Sequence, residues 1–221
     1  MLKQTGTLWI NIGDGYDNGR LLWVPHRLAT ALDDDGWIGR NEIIWRKGEG
    51  APENVTNRCA RNHEQVLLFA KCRDYYFDIE VIKEPAKYAD DPRNGRRVVY
   101  NGKCLGEDGT GQRGFVSISD TRIKRTVWNV IRQPTKFDHY AVMPEDLIEP
   151  MILAGCPEKG VVLDPFGGVG STALVALKHN RRAILIELSP QYAAIAEERL
   201  AAAKAGQDEQ DDQTDTLETA E

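Results

Sequence analysis

Three observations predict an α/β fold built on a parallel sheet. Short apolar runs alternate with segments of helical spacing, the second half reads strand, helix, strand, helix, and a glycine-rich turn follows the first of those strands. The 221 residues accommodate one domain of ordinary size, or one with an insertion. With 41% hydrophobic residues, five Trp and seven Tyr, the composition excludes disorder of the whole chain. Mean hydropathy is -0.47, and no run approaches the roughly 18 apolar residues of a membrane span. The first residues lack a basic region followed by an apolar core, so they do not read as a secretory signal.

Along the chain, Leu8–Ile12 is an apolar run ended by Gly13-Asp14-Gly15, a strand and a turn. Val24 to Leu32 has helical spacing, with Leu28, Ala31 and Leu32 on one face and Pro25 in the first turn. Asn41–Trp45 and Gln65–Ala70 are two further strands, separated by a polar loop. Residues 79–136 mix Gly, Pro and charge without clear period and read as an insertion between a first part, 1–78, and a second, 137–203. Order returns at Pro144, where a helix begins with acidic residues in its first turn. Gly160–Asp164 is a buried strand, the segment from Phe166 to about Asn180 a glycine loop and helix, and Arg182–Glu187 another strand. Ser189 caps a helix running to about Ala203, and the acidic, apolar-poor residues 204–221 are expected to be disordered.

Charge is unevenly placed. The net of -6 divides into -2 over residues 1–82, +6 over 83–136, -4 over 137–203 and -6 over the tail. Fields act locally, so the basic island can face an anionic partner although the pI is about 5.4. A solvated loop is the plainer explanation of the same charges. The four cysteines, Cys59, Cys72, Cys104 and Cys156, lack the close pairing of a zinc knuckle. No structural metal and a reducing, cytoplasmic setting are expected.

The most informative stretch is VVLDPFGGVGSTALVAL, residues 161–177. Its strand delivers Asp164 at the carboxyl end, the ligand edge of an open α/β sheet. Gly167, Gly168 and Gly170 then remove side chains where the backbone must turn and approach a ligand, and Thr172 and Ala173 open a helix. Seventeen residues after Gly170, Glu187 ends the next strand, where a carboxylate can accept hydrogen bonds from two ribose hydroxyls. Two ligands compete. Gly168 to Ala173 formally fits the dinucleotide fingerprint of NAD or FAD enzymes. Asp164 argues against a pyrophosphate and favours the cationic methionine ammonium of S-adenosylmethionine. A glycine turn with no ligand is the third reading.

DPFGGVGST followed by RRAILIELSPQYAAIAEERL closely resembles the cofactor motif of DNA amino-methyltransferases of the permuted, β-type order. The resemblance implies a Rossmann-like sheet, S-adenosylmethionine as cofactor, and methylation of adenine N6 or cytosine N4 in double-stranded DNA. It nominates Asp164, Pro165, Phe166, Gly167, Gly168, Gly170, Ser171, Thr172, Glu187 and Leu188 as cofactor-binding. FDHYAVMPEDLIEPMILAG is similar to the segment preceding that motif, which adds His139, Ala141, Met143, Pro144 and Leu147. TLWINIGDGY and residues 41–78 resemble the strands and active-site loop of the other half, so the likeness covers most of residues 5–203.

In the permuted order the target-recognition region lies between the two halves, where the basic island falls. The implied DNA contacts include Arg93, Arg96, Arg97, Arg113, Arg122, Lys124 and Arg125, with Lys87 and the aromatic Tyr88, Tyr100 and Phe115 interleaved. The loop from Trp45 to Glu64 is implied to lie near a base extruded from the duplex, which nominates Arg58, His63 and Glu64. Arg58 and Glu64 could instead simply pair and fix the loop.

The family's chemistry rests on an Asp/Ser/Asn-Pro-Pro-aromatic loop, and the chain contains no Pro-Pro pair. In the family that loop precedes the TLWINIG-type strand, and the same segment supplies a central strand. The expectation is therefore an incomplete methyltransferase sheet, from a truncated gene, a misplaced start or a split enzyme whose N-terminal partner polypeptide supplies the loop. A remnant that binds cofactor or DNA and transfers nothing is the alternative. The resemblance implies restriction–modification, without naming a restriction enzyme.

Overall fold

A computed structural model of the protein describes residues 2–48, 53–86, 99–100, 103–104, 120–131 and 143–218, with backbone alone for 99–100, 103–104 and 206–218. The chain forms two compact units, Met1–Asp78 with Thr126–Glu221, and Ile79–Arg125.

In the first unit, β1 (Thr7–Ile12) ends at the glycine-flanked Asp14. A two-residue hairpin follows, β2 (Tyr16–Asp17) and β3 (Arg20–Leu21), turning on Asn18 and Gly19 with φ of 47° and 77°. Left-handed geometry at both positions matches the twist of a tight hairpin, and Asn-Gly adopts it readily. The Asp14 carboxylate accepts bonds from Gly15 N (2.8 Å) and Val24 N (3.1 Å), fixing the start of α1 (Val24–Asp34). β4 (Ile38–Arg46) and β5 (His63–Ala70) then complete an antiparallel set.

A late strand, β10 (Val127–Asn129), joins these, giving the order β1-β5-β4-β10 with β10 parallel to β4. This changes the boundary expected at residue 136. The insertion ends at Arg125, because Trp128 is buried beside Ile43 and Trp45 and belongs to the sheet core. Trp45 Nε1 also donates to the carbonyl of Val130 at 2.9 Å.

The cofactor half forms a separate two-stranded parallel sheet, β11 (Val161–Asp164) with β12 (Arg182–Leu185), joined through α3 (Ser171–Lys178). Among the described residues no strand pairing links it to the larger sheet. The two are united by α2 (Glu145–Gly155). Its Leu147 and Met151 pack with Ile43, Trp45, Val66 and Trp128, while Ile148 and Ile152 pack with Val175, Ala176, Val162 and Ala183. Residues one apart on a helix point about 100° away from each other, so one apolar helix serves two cores.

The end of α2 is pressed against β1. Thr7 Oγ1 donates to Gly155 O at 3.2 Å, and a Cβ on Gly155 would stand 2.6 Å from both Thr7 Oγ1 and Trp9 Nε1. Gly155→Ala is therefore expected to destabilise the fold by about 1–3 kcal/mol, the range for overpacking. Denaturant unfolding followed by Trp fluorescence measures this, and a midpoint equal to the parent's would contradict the close approach.

The C-terminal helix, α4 (Pro190–Glu218), continues through the segment expected to be disordered. Residues 204–218 contain no Pro and one Gly, and their Ala, Gln, Glu and Lys favour helix when nothing interrupts it. The second unit carries a 3-10 turn (Glu80–Ile82), the antiparallel pair β6 (Glu84–Pro85) and β9 (Thr121–Arg122), and the pair β7 (Val99–Tyr100) and β8 (Lys103–Cys104). Two-residue strands are too short to impose a period on the sequence.

Candidate cofactor site

Parallel pairing of β11 with β12 brings Asp164, at the end of one strand, beside Glu187, two residues past the other. The turn between β11 and α3 runs through Gly168 and Gly170, with φ of 53° and 82°. Side-chain-bearing residues adopt this region reluctantly. Glycine is required for a second reason. A Cβ on Gly167 would lie 3.0 Å from Leu185 Cβ, and one on Gly170 would lie 3.0 Å from Ala196 Cβ.

Both carboxylates hold this turn. Asp164 Oδ1 accepts from Phe166 N at 3.0 Å and Oδ2 accepts from Thr172 Oγ1 at 2.6 Å, fastening the loop to the start of α3. Glu187 Oε2 accepts from Gly168 N at 2.7 Å and Oε1 from Ser189 N at 2.8 Å. A carboxylate has about four lone-pair positions, so these bonds leave acceptor capacity on the same groups. Phe166 and Leu188 flank the carboxylates and are 88% and 97% exposed. Two large apolar side chains so exposed beside a glycine turn form a ready contact for a flat ring. A cationic, adenosine-bearing ligand fits this set of a glycine cradle, two acidic groups and apolar flanks.

Of the upstream nominees, Met143 packs against both cores and Pro144 is buried at the start of α2. Leu147 is fully buried in the core rather than lining a pocket, because its face of α2 meets the larger sheet. His139 and Ala141 lie outside the described residues.

The expected DNA contacts fare unevenly. Arg58 Nη1 bonds Glu53 Oε2 at 2.6 Å, and its guanidinium lies 4.0 Å from the centre of the Tyr16 ring. The hydrogen bond with Glu53 raises the Arg58 pKa and lowers that of Glu53. Glu64 pairs with Lys47, so the anticipated Arg58–Glu64 pair does not form; each residue has a nearer partner across its own part of the loop. His63 is half-buried and opens β5 opposite Arg46. One group escaped the sequence reading. Arg61 Nη1 is buried without a hydrogen-bond partner, the one such side-chain atom among the described residues. Its position in the polar loop was visible in the sequence, but its burial was not.

In the second unit, Arg122 and Lys124 both reach Glu84, at 3.2 and 3.4 Å. Arg125 closes that unit. Arg93, Arg96, Arg97 and Arg113 lie outside the described residues, as do Lys87, Tyr88 and Phe115. Among the described residues no three acidic, His or Cys side chains could hold a metal, and no helix is long and apolar enough to cross a membrane.

A DNA methylase family profile of the N6/N4 type matches residues 1–198. The chain belongs to this DNA methylase family. Its members are S-adenosylmethionine-dependent enzymes that methylate amino groups of DNA bases. The chain is 36% identical to the Type II methyltransferase M.SmaI of Serratia marcescens over 90% of its length, spanning 68% of that relative. It is 34% identical to M.XycI of Xanthomonas campestris pv. cyanopsidis, again over 90% of its length, spanning 66% of that protein. This methylase thus spans about two thirds of the length of these two relatives. In fold it is similar to the PvuII cytosine-N4-specific DNA methyltransferase, with TM-score 0.64, 18% identity, and coverage of 89% of this chain and 64% of that one. The M1.HpyAVI complex with S-adenosylmethionine is similar at TM-score 0.60 and 20% identity, covering 90% of this methylase and 76% of that chain.

Proposed function

We propose that this chain is the cofactor-binding and target-reading part of a DNA amino-methyltransferase of permuted order, acting on the exocyclic amine of adenine or cytosine in double-stranded DNA. The carrying observation is the pair Asp164 and Glu187 across a glycine turn at the carboxyl ends of two parallel strands. In this reading Asp164 faces the methionine ammonium and Glu187 the ribose hydroxyls. Phe166 and Leu188 flank the adenine, and Met143 and Pro144 line the pocket. S-adenosylmethionine bound there supplies an electrophilic methyl group. The chain's own residues orient it, and the basic residues of the insertion contact DNA. The setting is cytoplasmic.

In this reading the Pro-Pro-aromatic loop belongs to methyltransferase sequence other than these 221 residues, which contain no Pro-Pro pair, in the same polypeptide or a partner. Two observations support this. One face of the β11–β12 sheet presents Val161, Leu163, Ile184 and Ile186 at 46%, 38%, 55% and 52% exposure, whereas parallel strands are normally covered on both faces. About a third of the length of these relatives also lies outside the matched region. A strand-and-helix segment carrying the loop fits that face, adding its strand along β11 close to Asp164.

The test is transfer of a radiolabelled methyl group to DNA by the chain alone and by the chain mixed with that segment of a relative. Label in DNA only with the segment present is the expected outcome, and nucleoside analysis then identifies the base. Transfer by the chain alone overturns the external loop. Cofactor binding with no transfer in either mixture favours the binding-only remnant, for which the missing Pro-Pro pair is the argument.

A further inference from the structure

We propose that Arg199 is the positioning residue of the glycine loop, the group through which α4 and the start of α2 set the shape of the turn that holds Asp164 and Glu187. The inference rests on the cofactor reading above and adds to it a residue remote from the ligand.

Arg199 follows Ala196 by three positions, so the two share a face of α4. Ala196 is buried directly over Gly170, where a Cβ would already meet it at 3.0 Å. From the same face Arg199 Nη1 donates to Val169 O at 2.5 Å and lies 3.4 Å from Ser171 Oγ. Val169 and Ser171 are 3% and 7% exposed, so little water is at hand to replace those bonds. Arg199 Nη2 stands 3.9 Å from Glu145 Oε1, in the first turn of α2. Lys178, the last residue of α3, holds the other oxygen of that carboxylate.

One guanidinium therefore touches the glycine turn, the first residue of α3 and the first turn of α2 beside Met143 and Pro144. Its planar fork suits several acceptors at fixed angles, which a single ammonium does not. Burial pulls its pKa below the ordinary arginine value, and Glu145 opposes that pull.

The consequence concerns the two carboxylates. The N–H of Gly168, the residue before Val169, is held by Glu187, and Thr172, next to Ser171, is held by Asp164. A loop released from Arg199 carries both acidic partners out of register, and binding groups need placement within roughly 0.5 Å.

Arg199→Met keeps the apolar stem and removes the donors, and Arg199→Lys keeps one charged donor. Calorimetry with S-adenosylhomocysteine is paired with backbone amide exchange. The Met variant is expected to bind at least tenfold more weakly, with the Lys variant intermediate. Amide exchange from Gly167 to Thr172 is expected to quicken while β4 and β5 exchange as in the parent. Parent-like affinity in the Met variant, or quickening spread evenly over the molecule, overturns the role. Should the Met variant not fold, the Lys variant is judged by the same two readouts. A parent that binds no ligand rejects the cofactor reading itself, and amide exchange then decides alone: quickening confined to the loop upholds the hold of Arg199, and even quickening rejects it.

Discussion

Glu187→Ala is expected to weaken S-adenosylmethionine binding by roughly 10- to 150-fold, as loss of a charge-assisted hydrogen-bonding group removes about 1.5–3 kcal/mol. Two effects combine. The ribose hydroxyls lose their proposed acceptor, and the turn loses the carboxylate that spans Gly168 N and Ser189 N. Glu187→Gln separates them. Its single amide oxygen can accept from one of those N–H groups while its NH2 faces the other, so intermediate binding is expected. Isothermal titration of the three chains provides the comparison. Unchanged affinity in the Ala variant would remove Glu187 from the site.

Leu147→Ala carries the largest expected loss of stability. The side chain is fully buried, packed against Ile43, Trp45, Val66 and Trp128 on a helix whose opposite residues enter the second core. Truncating a buried leucine costs about 2–5 kcal/mol, depending on how far the site collapses. For a chain of this size that is a fall of roughly 5–15 °C in melting midpoint. Differential scanning calorimetry should record one transition shifted as a whole, because α2 belongs to both cores. Two separated transitions would mean that the sheets do not depend on α2 jointly, and a shift under 1 °C would contradict the burial.

The glycine loop was legible because its chemistry is local. A strand, three glycines and a helix start lie within a dozen residues, and the positive φ at Gly168 and Gly170 is what those glycines permit. Other features depended on distant partners. β10 is three residues long and gains its identity from β4, some eighty residues earlier. Asn18-Gly19 advertised a hairpin that the sequence reading passed over, since its flanking strands are too short to alternate. The apolar positions of α2 were plain, but not that adjacent ones would enter different cores. Choosing Glu53 over Glu64 as the partner of Arg58 needed the path of the loop. Arg199 lies in the RRAILIELSPQYAAIAEERL segment, with nothing in its spacing to reveal the reach to Val169.

The open face of the β11–β12 sheet bears on how the isolated chain behaves in solution. Four aliphatic side chains on the uncovered face of two strands offer water the kind of patch that drives colloidal association, and a strand edge without a partner among the described residues offers a template for pairing. Salts excluded from protein surfaces strengthen that attraction. The chain prepared by itself is therefore a sticky species whose solubility falls with protein concentration and sulfate, and any segment that covers the face acts on it as a solubilising chaperone.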